Sequence, residues 1–169
     1  MVLVTGGTGL VGSHLLFQLA KNGAHIKAIH RKNSDLKRVK KIFSYYSSQY
    51  EMLFEKVEWY DADLSDITSL DAAFANVTQV YHCAAMISFD PSDFAKLQKV
   101  NVEGTANVVN MCLAHSIEKL CHVSSIATLG KSKGKMEVTE ESEWNEQDAN
   151  VYGISKYAAE MEVWRGSQE

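Results

Sequence analysis

Short apolar runs alternate along the chain with longer segments whose apolar residues recur at helical spacing. The short runs are MVLVTG at 1–6, HIKAIH at 25–30, VEWYDAD at 57–63, QVYHCAA at 79–85 and KLCHVSS at 119–125. Each has the length of a strand, and strands separated by helices favour a parallel sheet with right-handed crossovers. The pattern therefore predicts an α/β domain with five parallel strands.

The segments between the strands predict helices. One covers 9–23, with Leu15, Leu16 and Leu19 on one face and Asn22-Gly23 as its end. Asp66 is placed to cap a second helix that runs to about Ala75. A long helix is predicted from about Pro91 to His115, and its expected inward residues are Leu97, Val100, Ala106, Val109 and Leu113. A last helix begins near Ala149 and carries Tyr152 to Trp164.

Two stretches depart from this alternation. Residues 31–41 hold six basic side chains and precede IFSYYSSQYEMLF, which together predict one long amphipathic helix inserted between the second and third strands. Residues 137–148 hold six acidic side chains and predict a solvated loop.

Composition narrows the possible functions. A chain of 169 residues with 46% hydrophobic residues suits one globular domain over 1–169, and a net charge of −4 argues against nucleic-acid binding. No apolar run is long enough for a membrane span and no signal peptide precedes the first strand, so we expect a cytoplasmic protein. The cysteines Cys83, Cys112 and Cys121 show no CxxC spacing, which predicts reduced thiols in the core. The scattered histidines predict no metal site.

Four glycines occur within seven residues in VTGGTGLVGSH at 4–14. They lie between a predicted strand and a predicted helix, where a dinucleotide pyrophosphate meets a helix N-terminus. Glycine there permits the tight turn and the close approach of phosphate to the backbone. Gly7, Gly9 and Gly12 fit the spacing GxGxxG, and Gly6, Gly9 and Gly12 fit GxxGxxG.

The end of the second strand indicates which dinucleotide binds. Sites for NAD usually carry an acidic residue there for the ribose 2′-hydroxyl, whereas sites for NADP carry an arginine for the 2′-phosphate. This chain has Arg31 and Lys32 at that point and no acid. We therefore expect NADP to be preferred over NAD. The alternative is that both belong to the solvated basic face of the next helix.

A second group of residues points to proton transfer. Tyr152 and Lys156 are four residues apart in VYGISKYAAE and share one face of a helix. A lysine ammonium beside a tyrosine phenol favours the phenolate, which can accept a proton from an alcohol or return one to a carbonyl. Ser124 and Ser125 end the fifth strand, at the sheet edge where ligands bind, and can hydrogen-bond a substrate oxygen.

These motifs resemble the extended branch of the short-chain dehydrogenase/reductase superfamily, the NAD(P)-dependent epimerases, dehydratases and reductases. TGGTGLVG, DADLSD, HCAAM, NVEGT, VSSIATLG and YGISK match its motifs across essentially the whole chain. The sequence that follows the second and fifth strands is most similar to that of dihydroflavonol-reductase-like and 3β-hydroxysteroid-dehydrogenase-like members. The resemblance implies a three-layer Rossmann fold with a doubly wound parallel sheet.

The resemblance also assigns residues. It implies catalytic roles for Ser125, Tyr152, Lys156 and Asn101. It implies cofactor contacts from the glycine loop, the ends of the second, third and fourth strands and the catalytic helix, namely Gly6, Gly9, Leu10, Val11, Gly12, Arg31, Lys32, Asp63, Leu64, Cys83, Ala84, Ala85, Tyr152 and Lys156. It further implies that Asp63 meets adenine and that Lys156 holds the nicotinamide ribose.

Family members continue beyond the tyrosine–lysine helix, whereas this chain stops at EVWRGSQE. We therefore expect that the C-terminal strands and substrate-binding domain are lacking, as in a truncated, proteolysed or partial sequence, and that catalysis by this chain alone is impaired.

The function predicted is an NADP(H)-preferring oxidoreductase acting on a secondary alcohol or ketone as its small-molecule partner. The alternatives are a nucleotide-sugar epimerase or dehydratase with tightly held NAD, a cofactor-binding regulator without turnover and, last, a protein that binds RNA or an acidic partner through 31–41. The resemblance also implies a homodimer through the long fourth helix and the tyrosine–lysine helix. The apolar positions Val102, Val109, Ala158 and Met161 would allow that contact, and burial in the core explains them equally well.

Overall fold

Five short parallel strands form one sheet. They are β1 (Val2–Thr5), β2 (Ile26–His30), β3 (Val57–Asp61), β4 (Gln79–His82) and β5 (Lys119–His122). In the computed structural model, which describes residues 1–130 and 137–169, their order is β3-β2-β1-β4-β5 and every neighbouring pair is parallel. This is the strand order of a Rossmann sheet, in which the order of the strands reverses between β1 and β4. The predicted α/β fold and its five strands are confirmed.

Seven α-helices occur in the described residues. They are α1 (Leu10–Lys21), α2 (Leu36–Ser44), α3 (Tyr50–Glu55), α4 (Ile67–Phe74), α5 (Phe94–Leu97), α6 (Gly104–Ala114) and α7 (Val151–Gly166). The predicted caps are confirmed at two places, since Asp66 accepts hydrogen bonds from the first turn of α4 and Asn22 ends α1. No helix within 1–130 or 137–169 is long and apolar enough to cross a membrane.

The central strands are buried on both faces. Val4 and Ala28 belong to a cluster that includes Leu16 of α1, while Leu3, the residue next to Val4, is also fully buried. Because side chains alternate across a strand, burial of both neighbours means that both faces of β1 are covered. The buried residues of α1 include Leu16, Phe17 and Ala20, whereas the expected Leu15 and Leu19 are half-buried.

The basic stretch does not form one long helix. It forms α2, capped by Asp35, and a separate α3, with a turn at 45–49 between them. In that turn the Ser47 hydroxyl accepts a hydrogen bond from the backbone N–H of Gln49 at 3.0 Å. Serine side chains that bond nearby backbone compete with helical hydrogen bonds, and this accounts for the interruption.

The predicted helix from Pro91 to His115 is divided. A 3₁₀ turn (Pro91–Asp93) and α5 lead into a π-helical segment (Gln98–Glu103), which continues into α6. Leu97 and Val109 are buried as expected. The expected burial of Leu113 is wrong, since this side chain is 38% exposed.

The chain forms two compact units. The first comprises Met1–Ala84 and Asn110–Val123 and contains the whole sheet, and the second comprises Ala85–Val109 and Ser124–Glu169 and contains α7. In the second unit a Cβ at Gly166 would lie 2.3 Å from the Val109 side chain, which is 2% exposed. Val109 therefore packs within its own chain, and the dimer contact that named it stays a prediction.

The cysteines do not share one environment. Cys121 is exposed on β5, where Lys119 is exposed as well, so its expected place in the core is wrong. Because side chains alternate along a strand, these two residues, two positions apart, lie on the same exposed face. Cys83 and Cys112 are half-buried, and burial raises the pKa of their thiols to about 11 and about 12. Both therefore stay protonated at neutral pH, which makes them poor nucleophiles.

Candidate functional site

The glycine turn in the first unit is shaped by two close backbone approaches. Gly6 has a φ of +67°, and a Cβ on it would lie 2.5 Å from the backbone nitrogen of Ala84, after β4. A Cβ on Gly12 would lie 2.2 Å from the carbonyl oxygen of Gly6. Any side chain at either position would force the backbone apart. These contacts favour the spacing Gly6, Gly9 and Gly12.

The turn leads into the N-terminus of α1. Gly9 is the N-cap, so no side chain caps the helix, and the first turn holds no acidic residue. Leu10 and Val11, at the start of the helix, are exposed. A Cβ on Gly9 would meet one atom within 4 Å, the carbonyl oxygen of Gly6 at 3.2 Å. An open, uncapped helix N-terminus of this kind fits the pyrophosphate of a dinucleotide.

The stretch after β4 adjoins this turn. The backbone N–H of Cys83 donates to the carbonyl oxygen of Thr5 at 3.2 Å, and the N–H of Ala84 donates to Thr5 Oγ1 at 3.3 Å. Thr5 Oγ1 also lies 2.6 Å from Nδ1 of the buried His82. Thus β1 and β4 present Cys83 and Ala84 beside the glycine turn, while Ala85 follows as an exposed residue.

A cleft of about 600 Å³ lies beside the ends of β2 and β3. Its lining brings together three of the predicted cofactor residues, Arg31, Lys32 and Asp63, and Leu64 follows them as a half-buried residue outside the lining. The other lining residues are Asn33, Ser34, Asp61, Ala62, Asp66 and Ser69.

Two of the three carboxylates in this cleft are engaged by their own turns. Asp63 accepts hydrogen bonds from the N–H and hydroxyl of Ser65, at 2.9 and 2.6 Å, and Asp66 caps α4. Sequence reasoning missed Asp61. Its position is set by the pairing of β2 with β3, which places it opposite His30 at the end of β2. The spacing of acids along the chain does not carry that information.

The second unit holds the predicted serine, tyrosine and lysine. Ser125 begins a 3₁₀ turn (Ile126–Thr128), and its Oγ accepts a hydrogen bond from the N–H of Ala127 at 3.1 Å. This turn packs on the first turn of α7, because a Cβ on Gly153 would lie 2.7 Å from the carbonyl oxygen of Ala127. The close approach brings the backbone that carries Ser125 to the residue next to Tyr152.

Tyr152 and Lys156 are both buried side chains on α7. Tyr152 is 8% exposed, and its ring meets that of Phe89 edge-on with centroids 5.7 Å apart. Lys156 is 1% exposed. Burial lowers the pKa of the Lys156 ammonium to about 8, and the negative charge of Glu160 acts in the opposite direction. The ammonium group is therefore still mostly charged at pH 7.

Asn101 lies in the π-helical segment and joins three parts of this unit. Its Oδ1 accepts from the N–H of Met86 at 2.7 Å, and its Nδ2 donates to the Met86 carbonyl and to Ser155 Oγ, both at 2.9 Å. Ser155 in turn donates to the carbonyl of Tyr152 at 2.8 Å. Through these contacts Asn101 orients α7 and the stretch after β4. π-Helical segments often occur at functional sites.

Three further residues support the site and were missed by sequence reasoning. They are Gly153, Ser155 and Glu160 on α7. For Glu160 a signal was available, because it follows Lys156 by four residues and shares its helix face. For Ser155 the signal was a small polar residue beside the lysine. That pattern alone does not show whether the serine hydroxyl forms a buried hydrogen bond or faces solvent.

A parallel sheet in this strand order, with a glycine turn between β1 and the N-terminus of α1, defines a dinucleotide-binding protein of the Rossmann class. The model of the NAD dependent epimerase/dehydratase family matches residues 2–169, and the chain belongs to this family. The resemblance found in the motifs is confirmed, and with it an NAD(P)-type cofactor.

Curated relatives and solved structures agree with this assignment. Dihydroflavonol 4-reductase of Gerbera hybrida is 30% identical over 96% of this chain and 46% of its own length. The crystal structure of gox2253 superposes with a TM-score of 0.83 at 31% identity, over 100% of this chain and 48% of that one. MoeE5 in complex with UDP-glucose and NAD superposes with a TM-score of 0.77 at 25% identity, over 99% of this chain and 49% of that one. The chain thus spans about half the length of each of these three proteins.

Proposed function

We propose that this chain is the cofactor-binding and catalytic part of an NADP(H)-preferring oxidoreductase that interconverts a secondary alcohol and a ketone. The observation that carries the proposal is the packing of the Ser125 turn on the first turn of α7, through the contact of Gly153 with Ala127. That packing supports a site in the second unit that uses the Ser125 hydroxyl, the Tyr152 phenol and the buried Lys156 ammonium. The reductases among the relatives support the same class of reaction.

In the reductive direction, each of the three side chains has a separate task. Ser125 donates a hydrogen bond to the carbonyl oxygen and orients it, and Tyr152 gives its phenolic proton to that oxygen. The positive charge of Lys156 stabilises the negative charge that develops on the phenol oxygen. A nicotinamide cofactor, when bound, would supply the hydride for the carbonyl carbon. The reverse sequence oxidises the alcohol, with Tyr152 taking up the proton.

The preference for NADP(H) is proposed from the cleft beside β2. Arg31 and Lys32 line it, and an arginine guanidinium can donate two parallel hydrogen bonds to a phosphate. The carboxylates of Asp63 and Asp66 are already engaged by their own turns. The two cations are therefore the charged groups of this cleft suited to a ribose 2′-phosphate.

A second candidate is an NAD-dependent nucleotide-sugar epimerase or dehydratase. The observation that favours it is the Asp61 carboxylate at the end of β3, which lines the same cleft and suits a ribose hydroxyl rather than a phosphate. Its first half-reaction would use the same serine, tyrosine and lysine. Cofactor that stays bound through purification would support this candidate, because such enzymes reuse one cofactor within each turnover.

Substitution of Tyr152 by phenylalanine tests the reaction. In the full-length protein, Tyr152→Phe should lower kcat by roughly 100-fold or more, because the proton donor is removed while the ring is kept. Cofactor affinity should change little. The measurement is NADPH oxidation by absorbance with a set of ketones and aldehydes.

The matched control is Tyr157→Phe on the same helix, whose ring stacks on Trp144 at 4.3 Å. It should retain turnover within about twofold, since stacking does not need the hydroxyl. Equal turnover by wild type and Tyr152→Phe would contradict the proposed function.

A further inference from the structure

The Glu160 carboxylate holds the turn that carries Ser125. A single oxygen, Oε1, accepts hydrogen bonds from the Ser124 hydroxyl and from Thr128 Oγ1, the latter at 3.0 Å. Ser124 directly precedes Ser125, and Thr128 ends the 3₁₀ turn that Ser125 begins. The two bonds therefore attach both ends of that turn to α7.

Glu160 does not bond to the Ser125 hydroxyl itself. That oxygen accepts from the N–H of Ala127. The single hydroxyl proton of Thr128 is shared between the Ser125 carbonyl oxygen at 2.8 Å and Glu160 Oε1 at 3.0 Å. The carboxylate acts on the turn around Ser125 and leaves the hydroxyl proton of Ser125 available to another acceptor. Hydrogen bonds to a carboxylate are stronger than those between neutral groups, which suits a tether.

The location of Glu160 also explains why a carboxylate is tolerated at a half-buried place. Glu160 lies one helical turn beyond Lys156, and its negative charge raises the pKa of that ammonium against the effect of burial. A partly buried charge is costly unless it is hydrogen-bonded and compensated, and here two hydroxyls and one ammonium meet the requirement. Glu162 differs, because it pairs with Arg165 at 2.9 Å and contacts no part of the Ser125 turn in the bonds described.

We propose that Glu160 is a positioning residue, which fixes the Ser125 turn on the helix that carries Tyr152 and Lys156 and so sets the place of the serine hydroxyl. The proposal rests on the function proposed above, in which Ser125 orients the carbonyl oxygen of the substrate. Glu160 itself touches neither substrate nor cofactor in this account.

Three variants of the full-length protein separate the tether from other effects. Glu160→Ala removes the acceptor oxygen. Glu160→Gln keeps an oxygen at Oε1 that can accept both hydroxyl bonds while it removes the charge. Glu162→Gln is the matched control, two residues away on α7. Amide hydrogen exchange in a peptide covering 124–129 reports on the turn, and steady-state kinetics report kcat and the KM for cofactor and for substrate.

In Glu160→Ala, exchange at 124–129 should become about tenfold faster or more, since the amides of Ala127 and Thr128 are held by Ser125 within this turn. The same variant should lose about tenfold to 100-fold in kcat, with the KM for cofactor within about twofold, because misplacement of a reacting group lowers the rate without weakening the nucleotide contacts. Glu160→Gln should keep most of the slow exchange at 124–129 and most of the wild-type kcat. Glu162→Gln should match wild type in both measurements.

Unchanged exchange in Glu160→Ala would overturn the tether, and faster exchange with wild-type kcat would overturn the positioning role. A loss of kcat in Glu160→Gln as large as that in Glu160→Ala would also overturn the positioning role, because glutamine keeps the acceptor oxygen Oε1. If wild type itself showed no turnover, the proposed function would fail, and the exchange measurement would still decide whether Glu160 holds the turn.

Discussion

Lys156 places an ammonium group inside the protein at a cost in stability. Its side chain is 1% exposed, and burial lowers its pKa from 10.5 to about 8. A buried charge of this kind costs stability at neutral pH, and groups with such shifted pKa values cluster at functional sites. In the proposed reaction that function is to stabilise negative charge on the phenol of Tyr152, four residues earlier on the same face of α7.

The stability cost has a defined pH dependence. Between pH 8 and 10.5 the unfolded chain holds the lysine proton while the folded chain has released it, so unfolding takes up a proton and stability rises with pH. Relative to Lys156→Met, which keeps the length of the side chain without its charge, wild type should gain about 2 kcal/mol in unfolding free energy from pH 7.5 to pH 10. Urea unfolding of both proteins at the two pH values measures this difference. Parallel pH profiles would contradict it.

At the scale of elements, α7 and the 3₁₀ turn after β5 form one joint. Two kinds of contact connect them: the approach of Gly153 to the Ala127 carbonyl, and the bonds of Glu160 to Ser124 and Thr128. The glycine permits the backbones to meet, and the glutamate then holds them. The relative place of Ser125 and Tyr152 depends on this joint.

Gly153→Ala tests the joint by the sign of its effect. In an open helix, alanine in place of glycine stabilises by about 1 kcal/mol. Here the added Cβ would lie 2.7 Å from a backbone oxygen, so the turn or the helix must shift. We expect the variant to lower Tm by several degrees and kcat by about tenfold, measured by thermal unfolding and steady-state turnover. A rise in Tm with unchanged turnover would show that the two elements are not in close contact.

Sequence patterns predicted the elements that depend on local chemistry. Apolar runs marked all five strands, and Asp66 and Asn22 marked helix ends. The same patterns missed the division of the basic stretch into α2 and α3 and the π-helical segment around Asn101. The π-helical segment spans only Gln98–Glu103, which is too short for the spacing of apolar residues to distinguish it from an α-helix.

At the scale of the whole molecule, residues distant in sequence are placed by strand order and turn packing. The motifs indicated Gly6, Gly9, Gly12, Tyr152 and Lys156, because each occurs at a fixed spacing that its chemistry requires. Asp61 lines the cleft because β3 pairs with β2, and Asn101 reaches Ser155 across 54 positions. Such contacts are set by tertiary packing, which no local pattern contains.

The proposed preference for NADP(H) is a property of the whole molecule that is set at one end of the sheet. It depends on Arg31 at the end of β2, in a cleft that also holds the Asp61 carboxylate. Arg38 is the matched control, because it belongs to the same basic stretch but lies on α2 outside the lining of the cleft. Substituting each arginine by alanine separates a specific phosphate contact from general attraction by positive charge.

The most direct measurement is titration of the full-length protein with NADPH and with NADH, followed by nicotinamide fluorescence. Wild type should bind NADPH at least about tenfold more tightly than NADH, and Arg31→Ala should lose about tenfold in NADPH affinity, with the affinity for NADH nearly unchanged. Arg38→Ala should match wild type. Binding of NADH as tight as that of NADPH, or tighter, in the wild-type protein would contradict the account.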